Sequence, residues 1–317
     1  MISYDVIGDV HGHFDKLAAL FSKMGYASKG NSFVPPQGRQ AIFVGDLIDR
    51  GPEQIKVLYA VRAMVDAGHA RVVMGNHEFN AIGYVTPDPY AGTGEFLRPN
   101  RFDHDRSAKN RSQHAQFLAQ VGEGSQQHHD WVKWFKTLPL HLDLGGIRVV
   151  HAWWDEAHVQ LVNKHYWSSN GQHISEDFLH NCFGHERSWK VAREILTTGV
   201  EHALPPGVFV TDKLGQQHPN LRLAVWRHEA EKMSDIAIIP GGDLSLVGDL
   251  PIPDHLTLSG ITGSPILFGH YWFNGVPSVE STKVACLDWS AAAKGPLVAY
   301  RWDGEADLSN HKLVAAG

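Results

Sequence analysis

The chain has 317 residues, 43% hydrophobic and 20% charged, the make-up of an ordinary globular protein with enough apolar material for a full core. A formal charge of −6 gives no general attraction to nucleic acid or to an anionic membrane, and no apolar run is long enough to span a bilayer. Cys182 and Cys286 are too few and too distant for a disulfide framework or a zinc knuckle, and Met1-Ile2-Ser3-Tyr4-Asp5 lacks the features of a secretory signal, so the cytoplasm is the expected location.

In chain order, Tyr4-Asp5-Val6-Ile7 is the first strand-length apolar run, and it ends in Gly8-Asp9-Val10-His11. Phe14, Leu17, Ala18, Phe21 and Met24 then recur at helical spacing. Ala41-Ile42-Phe43-Val44 ends in Gly45-Asp46. Pro52 suits the first turn of a second helix, with Ile55, Leu58, Val61 and Val65 as its apolar face. Val72-Val73-Met74 ends in Gly75-Asn76-His77. Residues 84–130, rich in proline and glycine and carrying the basic "RPNRFDHDRSAKNR", read as an insertion. Ile147-Arg148-Val149-Val150 leads straight into His151. Residues 155–260, punctuated by "LPPG", "IPGGDL" and "LPIP", read as a second insertion, in which Gly242-Asp243 and Gly248-Asp249 are turns. Pro265-Ile266-Leu267-Phe268 ends in Gly269-His270. Two last strands, Lys283–Leu287 and Pro296–Tyr300, are expected to close a second sheet.

The strand–helix alternation predicts an α/β sheet flanked by helices, with a site at the carboxyl ends of its strands. Those ends deliver Asp9, His11, Asp46, Asn76, His151 and His270. This mixed nitrogen and oxygen set suits manganese, iron or zinc. Six ligands are too many for one catalytic ion with an open position, and right for two if a carboxylate bridges them. Such a pair, roughly 3.5–4 Å apart, can clamp a phosphoryl group and lower the pKa of a water held between the ions.

The blocks "GDVHG", "GDLIDRG" and "GNHE", in this order and each after a strand, resemble the three signature blocks of the calcineurin-like metallophosphoesterases, in particular the phosphoprotein phosphatase type. The resemblance is specific over residues 1–80, weaker over 138–152 and 266–290, and absent from most of both insertions. It implies two mixed sheets packed as a sandwich and flanked by helices, a single domain over 1–317, and two divalent ions. Manganese is favoured for these, with iron, zinc, nickel and cobalt as alternatives. Asp9 and His11 would bind the first ion, Asp46 both, and Asn76, His151 and His270 the second. Arg50 would hold the phosphate oxygens as a bidentate donor. His77, oriented by Asp49, would protonate the leaving alkoxide.

His270 has a rival in His185, within "NCFGHERSW", but "PILF" is the better core strand and "KVACLDWS" follows it as the expected next one. A second phosphate-binding arginine is expected between the last two histidines: Arg227 in "AVWRHE", or Arg222. The implied activity is a serine/threonine-type phosphomonoesterase working through a hydroxide that bridges the two ions. The alternatives are a diadenosine polyphosphate hydrolase, an RNA end-healing phosphatase suggested by the basic stretch 98–111, and a phosphate-binding regulatory module without catalysis. Asp49 favours the first over the symmetrical dinucleotide hydrolases, where "GDLVARG" is common. The partner is then a phosphorylated substrate, phosphoprotein or nucleotide, with neither membrane nor nucleic acid expected, and the insertions are where substrate choice would be built.

Overall fold

The computed structural model describes residues 3–92, 94–100, 107–211, 217–239, 244, 248–258 and 260–317. Residues 101–106 of the basic stretch, the Gly242-Asp243 pair and the side chain of His185 lie outside the described residues.

Two sheets form the framework. The first runs Leu313–Ala316, Leu297–Trp302, Ser3–Ile7, Arg39–Phe43, Ala70–Val72, and the second Val284–Cys286, Ile266–Phe268, Arg148–Val150, His141–Asp143. Because side chains alternate across a strand, Val6, Ile42, Val298 and Tyr300 face one way. There they share a buried cluster with Leu142, Val149, Leu267 and Ala285 of the second sheet. Ile7, Ala41, Phe43, Leu297 and Ala299 face the other way, onto Leu17, Leu20 and Phe21 of helix Phe14–Lys23 and Val57, Leu58 and Val61 of helix Gln54–Asp66. Both faces of the first sheet are therefore dry, which is why its strands read as unbroken apolar runs. The result is an α/β sandwich of two mixed sheets with helices outside it.

Register decides where the polar loops emerge. Ser3–Ile7 runs parallel to Arg39–Phe43, with Ile7 opposite Phe43, and Phe43 in turn faces Val72 across the next parallel pair. In the second sheet Leu267 faces Val149 and Phe268 faces Cys286, both parallel. The loops after these strands thus leave from one edge of the sandwich. Backbone bonds tie them together: His11 N–H to Asp46 O at 2.8 Å, Gly51 N–H to His11 O at 2.8 Å, and Gly269 N–H to His151 O at 2.8 Å.

Two expectations need correction. Val284–Cys286 joins the second sheet, but Leu297–Trp302 does not: it pairs antiparallel with Ser3–Ile7 in the first sheet. Its alternating Val298 and Tyr300 fill the space between the sheets while Leu297 and Ala299 meet the helices, so a strand apolar on both faces is buried on both. Pro52 lies ahead of helix Gln54–Asp66 rather than in its first turn, and its carbonyl accepts from Gln120 Nε2 at 2.7 Å.

The segments outside the recurring strands are built of regular elements. Residues 84–130 include helix Ser107–Val121, and helix Gln126–Phe135 follows from their end. Residues 155–260 include helices Glu156–His165, Glu176–His180 and Arg187–Thr198 and a three-stranded sheet of Val200–Ala203, Asn220–Leu223 and Ala237–Ile238. Trp153, Trp154, Tyr166 and Trp226 are buried core, whereas Trp167 is 38% exposed. No helix among the described residues is long and apolar enough to cross a membrane.

Candidate active site

The loops at the strand ends are tightly wound. The described non-glycine residues with positive φ are His11, Asp46, Asp49, Arg50, His270, Trp272 and Ser290, all in these loops or beside them. Each such conformation costs about 1–3 kcal/mol and persists only where the surroundings fix it. Glycines allow the close approach: a Cβ on Gly269 would lie 1.8 Å from Asp9 Oδ1, and one on Gly75 would lie 2.1 Å from Asp46 Oδ1.

Asp46 stands at the centre. Its Oδ2 is 3.6 Å from His11 Nε2 on one side and 3.3 Å from His151 Nε2 on the other. Two groups of metal-competent atoms share it: His11, Asp46 and His77, and Asp46, His151 and His270. Asn76, the first residue of helix Asn76–Val85, brings its Oδ1 to 3.1 Å from His151 Nε2 and 3.1 Å from His270 Nδ1. Asp9 reaches the cluster through its Oδ2, which accepts the His270 N–H at 3.0 Å. All six residues named from the strand ends are therefore brought together.

The side chains fit a pair of divalent cations. Asp9 Oδ1, His11 Nε2 and His270 Nε2 are buried with no hydrogen-bond partner among the described residues. The outer nitrogens of two rings are committed to backbone: His11 Nδ1–H donates to Ile48 O at 2.8 Å and His151 Nδ1–H to Val44 O at 2.8 Å. That tautomer leaves each Nε2 lone pair pointing inward, the arrangement of metal-ligating histidines. Burial holds His11 and His270 well below the usual imidazole range, but the carboxylates attract positive charge. Burial, then Asp288, pushes Asp9 well above the usual carboxylate range. For His151 burial opposes protonation, yet Asp46 and Asp9 outweigh it and push the imidazole up to about 10.

Beside Asp46, His77 Nδ1 lies 2.5 Å from Asp49 Oδ2, and its Nε2 is 3.8 Å from Asp46 Oδ2. The Arg50 guanidinium stacks over the Trp272 ring at 3.8 Å. The two candidate arginines part company. Arg222 Nη1–H donates to the His270 carbonyl at 3.2 Å. Arg227 is not brought to the cluster: it is held by Glu280 at 2.8 and 3.0 Å and by the Asp235 carbonyl at 3.1 Å. Of the two, Arg222 is the one that lies beside the cluster, because Glu280 gives Arg227 a nearer counter-charge than Glu201 gives Arg222.

Several supporting residues escaped the sequence reading. Glu78 lies within the quoted "GNHE", so its block marked it. It accepts the N–H groups of Asp46 at 2.9 Å, Leu47 at 2.8 Å and Gly75 at 3.0 Å, and so fixes the turn that carries Asp46. Gln54 does the same for the next turn, accepting the Asp49 N–H and donating to Gly51 O, both at 2.7 Å. Asp288 accepts from the N–H groups of Trp272 and Ser290 at 2.8 and 3.0 Å. His114 lies 2.7 Å from Asp49, and no motif signalled it.

Fold and site together are those of the metallophosphoesterase class. The model of the calcineurin-like phosphoesterase family matches residues 2–253, and the chain belongs to that family. Among curated proteins it is similar to an asymmetrical bis(5'-nucleosyl)-tetraphosphatase, PrpE, of Bacillus subtilis, with 40% identity over 28% of this chain and 36% of that relative. The protein of the same name from Oceanobacillus iheyensis is 30% identical over 47% of this chain and 54% of the relative. The chain thus spans about half or less of the length of these relatives. Among solved structures, a cold-active protein-tyrosine phosphatase of a psychrophilic Shewanella aligns over 100% of this chain and 81% of its own, with TM-score 0.48 and 15% identity.

Proposed function

We propose that the protein hydrolyses an internal phosphoanhydride bond of a nucleotide-type substrate, of the dinucleoside polyphosphate class, with Asp9, His11, Asp46, Asn76, His151 and His270 holding two divalent ions. The observation that carries the hydrolytic reading is Asp46, shared at 3.6 and 3.3 Å between two histidine-bearing groups, beside the His77–Asp49 pair. Two ions held there would neutralise phosphoryl oxygens and lower the pKa of an attacking water.

The chain's own residues supply the rest. Arg50, braced on Trp272, and Arg222, beside His270, bind the phosphoryl oxygens as charge-assisted donors. His77, with Nδ1–H held by Asp49, presents Nε2 to the leaving oxygen and gives it a proton. Glu78 and Gln54 keep the two turns fixed, so that little reorganisation accompanies reaction.

The nucleotide reading is supported by what the relatives are called, over the segment that carries the blocks. A phosphomonoesterase acting on phosphoserine or phosphothreonine is the second reading, and it is favoured by Asp49 in "GDLIDRG". Side-by-side assays of manganese-loaded protein on diadenosine tetraphosphate, a phosphopeptide and phenyl phosphate test both. Fastest turnover of the first, with unequal nucleotide products, is the expected result. Turnover of the phosphopeptide alone would reverse the order of the readings.

A further inference from the structure

The segment first set aside as an insertion sends one side chain into the site. His114, on helix Ser107–Val121, is buried, and its Nδ1 lies 2.7 Å from Asp49 Oδ2. That oxygen is the one His77 Nδ1 meets at 2.5 Å. The approach of His114 is off the ideal hydrogen-bond angle, so the contact is best described as a close polar one. The ring stands edge-on to His77 at 6.4 Å and to Tyr84 at 5.7 Å, with no other polar partner among the described residues for either of its nitrogens.

The helix that carries it is anchored where accuracy matters. Gln120 Nε2 donates to Pro52 O at 2.7 Å and Gln120 Oε1 accepts from Ile55 N–H at 3.4 Å, both next to the turn that holds Asp49. Asn110 is tied to Pro99 O at 2.7 Å. Asp49 Oδ1, in contrast, has no hydrogen-bond partner among the described residues. The carboxylate is therefore aimed through a single oxygen, and two imidazoles meet it from two elements of the fold.

We propose that His114 is a positioning residue for general acid catalysis: its ring fixes the Asp49 carboxylate, which in turn fixes His77. This rests on the hydrolytic role given to His77 above. In the step it supports, the P–O bond to the leaving group breaks and takes the electron pair to oxygen. The His77 Nε2–H bond breaks, and its proton forms the new O–H bond. His114 itself exchanges no proton in this step. With His114 absent, Asp49 is free to rotate about a buried oxygen without a partner, and His77 loses its aim. Such a loss matters most when the leaving group is a poor one that needs its proton early.

The test is steady-state hydrolysis of phenyl phosphate and para-nitrophenyl phosphate by the manganese-loaded protein. His114→Phe and His114→Leu remove the donor with different volumes, so either folded variant serves. His114→Asn keeps an N–H within reach of Asp49. His128→Gln alters another buried histidine that does not touch Asp49. The expected result is a kcat on phenyl phosphate lowered about tenfold in the Phe or Leu variant, part of the larger effect of a general acid. KM stays near its original value, and kcat on the nitrophenyl ester, whose leaving group needs no proton, falls far less. His114→Asn recovers most of the loss, and His128→Gln leaves the ratio of the two rates unchanged. An equal fall on both substrates, or an unmoved ratio, would overturn the positioning role while the hydrolytic reading stands. A wild-type protein inactive on both esters and on diadenosine tetraphosphate would overturn the two together.

Discussion

The Nδ1 of His77 and the Oδ2 of Asp49 meet at 2.5 Å, although one lies in the first turn of a helix and the other in a turn of left-handed backbone. An imidazole held so closely on one nitrogen has its other nitrogen aimed, here toward Asp46. His77→Asn should lower kcat on a phosphate ester by about two to four powers of ten, the range of a general acid. Metal content per chain, measured by inductively coupled plasma spectrometry, should be unchanged. A variant that loses metal and activity in proportion would make His77 a ligand instead.

Arg222 and Arg227 give a paired prediction. Arg222 contacts His270, so Arg222→Ala should raise KM about tenfold, the worth of one charge-assisted bond to phosphate. Arg227 is 40% exposed and paired with Glu280, so Arg227→Ala should leave KM alone and cost about 0.5–1 kcal/mol of stability. Kinetics and urea denaturation of both variants decide the matter; a raised KM in Arg227→Ala would restore it to the site.

Gly269 is the tightest approach in the cluster. A methyl group there would lie 1.8 Å from Asp9 Oδ1, and it cannot be relieved without moving Asp9 or the His270 turn. Gly269→Ala should therefore weaken manganese binding by at least about tenfold in calorimetric titration, as outer-shell changes at metal sites do. Unaltered binding would show that Asp9 takes no part in holding the ions.

Acid stability should depend on His128, which is not one of the proposed ligands. It is 1% exposed, accepts the Gly124 N–H at 3.2 Å through Nδ1, and has an Nε2 without a hydrogen-bond partner among the described residues. Burial, then His129, pushes it down to about 4. The folded value lies below the unfolded one, so on acidification the unfolded chain takes up a proton that the folded chain refuses. Stability is unaffected above about pH 6.5 and falls between there and about pH 4, by about 2 kcal/mol at pH 5. His128→Gln removes this loss, and urea midpoints of the two proteins should converge as the pH is lowered. Parallel curves would contradict the assignment.

Much of the site was legible because the chemistry sits where a local pattern ends. A β-branched run followed by glycine and a polar residue marks a strand end, and Asp9, Asp46, Asn76 and His270 follow from that rule, while His151 follows its strand directly. What was not legible depends on distant partners. Nothing local to Leu297–Trp302 says that it pairs with Ser3–Ile7 rather than with Val284–Cys286. Arg222 and Arg227 look alike in sequence; strand Asn220–Leu223 carries the first toward His270, and Glu280, far along the chain, holds the second. His114 lies in a polar helix with no motif around it, and only the docking of that helix beside Pro52 and Ile55 gives it a function.

The central claim is that six residues from separate strand ends hold two ions that share Asp46. Anomalous diffraction from manganese-soaked crystals tests it most directly. Two peaks roughly 3.5–4 Å apart are predicted, on either side of the Asp46 carboxylate, one beside Asp9 and His11 and the other beside Asn76, His151 and His270. A single peak, or peaks that leave Asp46 outside the coordination of either ion, would contradict the account.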